Sequence, residues 1–93
     1  GEFGIPINPR PIKLEAEFYR HVAIHLRESP ISEDQTIRDI DEDNVLLRAT
    51  VPDTLELRLW LKSFGDDVVI LKPAALRREF LEMAENLREY YGN

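Results

Sequence analysis

Apolar and polar residues alternate strictly at the start of the folded part of the chain. Ile12, Leu14, Ala16 and Phe18 point one way and Lys13, Glu15 and Glu17 the other, the pattern of a half-buried strand. From Tyr19 the period changes. Val22 and Leu26 follow Phe18 at intervals of four with Ala23 alongside, which predicts a helix over 19–27 that Ser29-Pro30 ends. Two further strands, 35–41 and 45–51, flank Glu42-Asp43-Asn44, a three-residue turn whose Asn tolerates left-handed backbone. Val45, Leu47, Ala49 and Val51 form the apolar face there, answered by Ile37 and Ile40.

The stretch 55–73 organises the rest. Leu55, Leu57, Leu59, Trp60, Leu61 and Phe64 give a helix over 55–64 an apolar face too wide for an exposed position. Pro52 ends the preceding strand, Asp53 and Glu56 have capping-box spacing, and Gly65 stands where a left-handed residue closes a helix. The run 68–71, Val-Val-Ile-Leu, suits a central strand covered on at least one face. Ala74–Tyr91 is the longest predicted helix, with Leu76, Phe80, Met83, Ala84, Leu87 and Tyr91 at three–four spacing and Gly92 closing it. The order βαββαβ with right-handed crossovers predicts an α+β, ferredoxin-like sandwich over residues 12–93, plus one additional C-terminal helix. That helix packs on the sheet or lies across a partner.

Ninety-three residues make one domain with a modest core. With no cysteine, neither a disulfide frame nor a thiolate metal site can form, which suits a reducing, cytoplasmic compartment. Apolar runs fall far short of a membrane span, and no secretory signal is visible. Twelve basic against eighteen acidic residues leave a formal net charge of −6, a poor balance for gripping duplex DNA. Residues 1–11 read as a tag remnant, Gly1-Glu2-Phe3, followed by a proline-rich extended linker in which Arg10 is solvated.

Trp60-Leu61, Phe64-Gly65, the strand 69–73 ending at Pro73, and Leu76-Arg77 together resemble the C-terminal extension, or WCX, domain of WYL-domain bacterial transcriptional regulators. Upstream, 32–35 and 49–55 extend the likeness, which covers Ile12 to Tyr91. The resemblance implies the same ferredoxin-like fold. It also implies that the chain is a piece of a longer protein carrying a DNA-reading winged helix-turn-helix and a ligand-sensing WYL domain. Partners implied are those domains, a second copy in a homodimer, and a nucleotide or single-stranded nucleic-acid effector. The family's effector-binding residues lie on the WYL domain, so none transfers to this chain.

Arg58, Lys62, Arg77 and Arg78 are the best local basic group for an effector or nucleic-acid contact, since Arg grips phosphate bidentately. A solvated face with pairs such as Arg78–Glu82 is the favoured reading. Tyr90 and Tyr91 suit a protein interface, whereas Trp60 and Phe64 suit the core. His21 and His25 have the spacing of a two-imidazole metal site, with Glu17 or Glu28 as a third ligand. HExxH is absent, exposed helix positions account for them better, and no metal or other cofactor is expected. Acylphosphatases resemble the chain in topology, but 18–22 lacks the glycine-rich anion cradle, so no catalysis is expected. The alternative is a stand-alone ferredoxin-like ligand-binding or dimerisation domain unrelated to transcription.

Overall fold

The computed structural model describes residues 5–92, so the tag-remnant reading of Gly1-Glu2-Phe3 lies outside the described residues. Among the described residues, four strands and three α-helices follow in the order β1 Ile12–Tyr19, α1 Ala23–Glu28, β2 Thr36–Asp39, β3 Asn44–Val51, α2 Leu55–Lys62, β4 Val68–Lys72 and α3 Ala74–Tyr91. The strands form one antiparallel sheet in the order β2-β3-β1-β4. Strict alternation in β1 places Leu14, Ala16 and Phe18 in the core, and the β3 register sets them opposite Ala49, Leu47 and Val45. Val22, Ala23 and Leu26 from the first helical segment, Leu57 and Leu61 from α2, and Leu76 from α3 complete that core.

Several boundaries differ from the periodic reading. The predicted helix over 19–27 begins later, because Tyr19 remains paired with Asn44 and a 3-10 turn, Arg20–Val22, intervenes. Its cause is Arg20. The backbone N–H donates to Asp43 O, Nε to Glu42 O (2.7 Å) and Nη1 to Asp39 Oδ1 (2.9 Å), clamping the β2–β3 turn onto the end of β1. Asp41 organises the same turn by accepting from the Asp43 and Asn44 N–H groups, both at 2.8 Å, and these bonds hold its carboxyl below the usual range. β2 is accordingly short, and Ile40 is exposed while only Ile37 packs against the core.

Helix α2 starts with Thr54 as its cap, Oγ1 accepting from Leu57 N at 3.0 Å, and not with Asp53, whose carboxylate is engaged elsewhere. Its apolar face is narrower than the composition implies. Leu57 and Leu61 are buried and Trp60 half-buried, but Leu55 and Leu59 face solvent. Gly65 does adopt the left-handed conformation (φ 58°) that closes the segment, whereas Gly92 ends α3 at φ −81°.

The run 68–71 is an edge strand, not a central one. It reads as continuously apolar because Val68 and Ile70 face the core while Val69 lies along a groove that α3 also lines. Helix α3 covers part of that edge, and Arg77 Nη1 donates to the Ile70 carbonyl at 2.8 Å. The solvent side of the sheet is mixed in charge, since Glu15 lies between Arg48 (3.5 Å) and Lys72 (3.7 Å).

One loop contact carries a pH signature. Asp34 Oδ1 accepts from Ser32 Oγ (2.6 Å) and from Thr50 N (2.9 Å), tying the approach to β2 to the end of β3. These bonds, the Ser32 hydroxyl foremost, lower its pKa from 3.8 to about 2. The folded value lies below the unfolded one, so the stabilisation is present above the unfolded pKa and is lost as pH falls through the folded pKa. In an acid series of denaturant unfolding, the wild type should weaken more steeply than Asp34→Asn from about pH 5 downwards. Parallel curves would show that Asp34 contributes nothing there.

Candidate functional site

Two features bring together residues that the sequence keeps far apart: a nearly buried ion cluster at the start of α2, and an apolar groove between β4 and α3. The cluster begins with Thr54 taking the cap, which frees the preceding Asp53 carboxylate to turn towards Arg58. Arg58 Nη1 donates to Asp53 Oδ1 at 2.7 Å and to Thr54 O at 2.8 Å. Nε and Nη2 form a bidentate pair with Glu79 of α3, at 2.7 and 2.9 Å. The side chains of Asp53 and Arg58 are only 6% and 11% exposed, while that of Glu79 is 47% exposed.

The incoming segment docks on the same aspartate. Ile7 N donates to Asp53 O (2.6 Å), Asn8 Nδ2 to Asp53 Oδ2 (2.7 Å), and Pro6 bridges to Thr54. Burial raises the Asp53 pKa, but the Asn8 and Arg58 hydrogen bonds and the Arg58 charge outweigh it and leave the carboxyl lowered. Hydrogen bonding to Glu79 is the main reason Arg58 is held still more firmly protonated than usual. This cluster fastens segment, helix α2 and helix α3 together; it does not present a cation to solvent.

The groove has a volume of about 490 Å³. Val68, Val69 and Ile70 line it from β4, and Phe80, Leu81, Ala84 and Leu87 from α3. Lys62 and Arg77 lie at its rim, so two of the four basic candidates share one surface. The other two do not join them as expected. Arg58 is consumed by Asp53 and Glu79, and Arg78 is exposed. Among the described residues, the anticipated Arg78–Glu82 pair does not form. Tyr90 and Tyr91 are 70% and 82% exposed near the end of α3.

Trp60 and Phe64 belong to an aromatic cluster about Phe18. Phe64 meets Phe18 edge-on with centroids 5.1 Å apart, and Trp60 meets Phe64 in the same way at 5.1 Å. His21 lies 3.5 Å from Asp67, His25 is exposed, and among the described residues no three metal-ligating side chains gather. No helix among them is long and apolar enough to cross a membrane. Arg20, the arginine an acylphosphatase-like loop would aim at a phosphate, is spent on the hairpin carbonyls and Asp39.

Periodicity missed Asp53, read as a cap, and gave no role to Glu79 or Asn8. An unused clue existed for the first, since an acid preceding a helix by two residues can reach an arginine one turn in. Nothing local marks Glu79, 21 residues from Arg58.

The family model of the WCX domain matches residues 10–88 of the 93. No curated protein and no solved structure matches the chain. The matched span takes in all four strands, α1, α2 and most of α3, together with both the ion cluster and the groove. The chain belongs to the WCX domain family.

Proposed function

We propose that this chain is a non-catalytic regulatory and oligomerisation module of a WYL-type transcriptional regulator, contributing to dimerisation and to the effector response. The observation that carries the reading is the WCX match over residues 10–88. The structure supports the division of labour it implies. Arg58 is locked between carboxylates, and an apolar groove lies open between β4 and α3, a surface suited to assembly. Taken from the β4 edge, we read the strand order as a ferredoxin-like βαββαβ arrangement with α3 added. Residues 12–93 form the single domain, and residues 4–11 the linker from a WYL domain upstream. DNA reading falls to the helix-turn-helix of the longer chain, which works in the cytoplasm.

In this account, effector state reaches the domain as a change in packing between two assembled arrangements. Any contact with a nucleotide or single-stranded oligonucleotide falls on Lys62, Arg77 and Arg78, because Arg58 is already paired. The test is a residue-resolved NMR titration of the chain with nucleotides, short single strands and duplex DNA, with acyl-phosphate hydrolysis assayed on the same sample. We expect no hydrolysis, no saturable duplex binding, and any shifts confined to those three side chains. Hydrolysis that disappears with Arg20→Ala would overturn the non-catalytic reading. Tight duplex binding would overturn the division of labour.

A further inference from the structure

We propose that the extended segment 6–8 is a strap coupled to helix α3 through Asp53 and Arg58, so that seating the segment tightens the clasp between α2 and α3 and lifting it loosens that clasp. The coupling rests on the contacts alone. Its use as a route for effector state into the domain rests on the reading above.

Polar contacts, and not burial, hold the segment. Residues 5–11 are all exposed, Ile5 at 89% and Ile7 at 56%, so little apolar surface keeps them in place. What fixes them is Asp53 and its neighbour. Ile7 N donates to Asp53 O at 2.6 Å, Asn8 Nδ2 to Asp53 Oδ2 at 2.7 Å, and Pro6 bridges to Thr54. Pro6, Pro9 and Pro11 each fix φ and stiffen the run, so the segment moves as a unit.

Asp53 is the shared element. Its side chain is 6% exposed, with Asn8 on Oδ2 and Arg58 Nη1 on Oδ1 at 2.7 Å. Arg58 in turn spends Nε and Nη2 on Glu79, and among the described residues no other side-chain hydrogen bond joins α2 to α3. The contacts thus run Asn8, Asp53, Arg58, Glu79, from the segment to the second turn of α3.

The ends of this path depend on each other for a physical reason. With the segment seated, Asp53 and Arg58 lie nearly out of water, where their attraction is strong. Lifting residues 6–8 removes the Asn8 donor and admits water to the carboxylate, so the pull that orients the guanidinium falls. The Arg58–Glu79 pair, with Glu79 47% exposed, then behaves as a surface pair and contributes little. Coupling between two sites is reciprocal. Removing the Glu79 carboxylate frees the guanidinium to turn away from Asp53, and the segment loses part of its anchor.

Asn8 and Glu79 share no hydrogen bond, so independent sites would leave each other unaffected. The measurement is amide hydrogen exchange of the 93-residue chain by NMR, for the wild type, Asn8→Ala, Glu79→Gln and Glu82→Gln. The Ile7 amide, bonded to Asp53 O, reports the strap, and the amides of 78–80 report the clasp. Core amides of β1 and β3 correct for any change in global stability. Glu79→Gln should speed Ile7 exchange about 5-fold or more, and Asn8→Ala should speed exchange at 78–80 by a similar factor. Glu82→Gln, three positions on along the same helix, should leave Ile7 unchanged. An Ile7 amide unprotected in the wild type, an Ile7 rate that Glu79→Gln alters no more than Glu82→Gln does, or an Asn8→Ala effect confined to the segment would each overturn the proposal. Any of these would leave the regulatory reading standing, since that reading is carried by the family match. A chain that shows the coupling and also hydrolyses acyl phosphates would do the reverse.

Discussion

Phe18→Ala should destabilise the chain by about 4 kcal/mol, from the cost of deleting a buried ring together with the cavity it leaves. Phe18 is fully buried in the middle of the sheet, opposite Val45 on β3 and Val68 on β4. Its ring meets Phe64 edge-on and lies 6.1 Å from Trp60. Removing it strips one partner from each of two further aromatics, so the loss exceeds simple transfer of one side chain. Domains of this size have about 5–14 kcal/mol of stability in total, and the variant should lose a large part of it. Guanidinium unfolding with an unchanged slope measures the effect, and Phe18→Leu, which keeps most of the volume, should cost far less. Equal costs for the two variants would mean that neighbouring side chains collapse into the space.

Arg58→Ala should cost about 3 kcal/mol, the low end of the range for breaking a buried pair from one side. Its source differs from that of Phe18. The change leaves the Asp53 carboxylate almost without solvent and with Asn8 as its remaining side-chain donor. Glu79 loses less, because its half-exposed carboxylate can be hydrated. The same reasoning predicts a hierarchy. Glu79→Gln should cost less than about 1 kcal/mol, and Asp53→Ala combined with Arg58→Ala should be less damaging than the two costs added, because no buried carboxylate is then orphaned. A double-mutant cycle by urea unfolding measures the coupling. If Arg58→Ala cost no more than Glu79→Gln, the cluster would be a surface ion pair in effect, and Arg58 would return as a candidate for effector contact.

The elements were largely legible before the structure. Strict alternation placed Leu14, Ala16 and Phe18 on the core face of β1, and the three–four spacing of Leu76, Phe80 and Met83 located α3 with its observed bounds. Gly65 was legible for a separate reason, since a left-handed closure after an apolar helix favours the residue without a Cβ. The errors share a cause. Capping spacing points to Asp53 because it is a local signal, whereas the competing partner, Arg58, draws on Glu79 from another helix. The run 68–71 suggests a central strand because unbroken apolarity reports only that at least one face is covered, and it cannot distinguish a neighbouring strand from a helix lying along an edge.

The candidate sites divide in the same way. That Arg58, Lys62, Arg77 and Arg78 are basic candidates of this region is evident from the chain alone. That Lys62 and Arg77 share a groove rim while Arg58 is locked inside an ion cluster is not. The sequence by itself determined the succession of strands and helices and the core face of β1, because each depends on residues a few positions apart. Only the tertiary structure decided the edge position of β4, the clamp of Arg20 on the hairpin, the convergence of Asn8, Arg58 and Glu79 on one region, and the groove left open beside α3. Those depend on which distant segments meet, and meeting is governed by burial of the whole apolar surface at once, a quantity that no local period records.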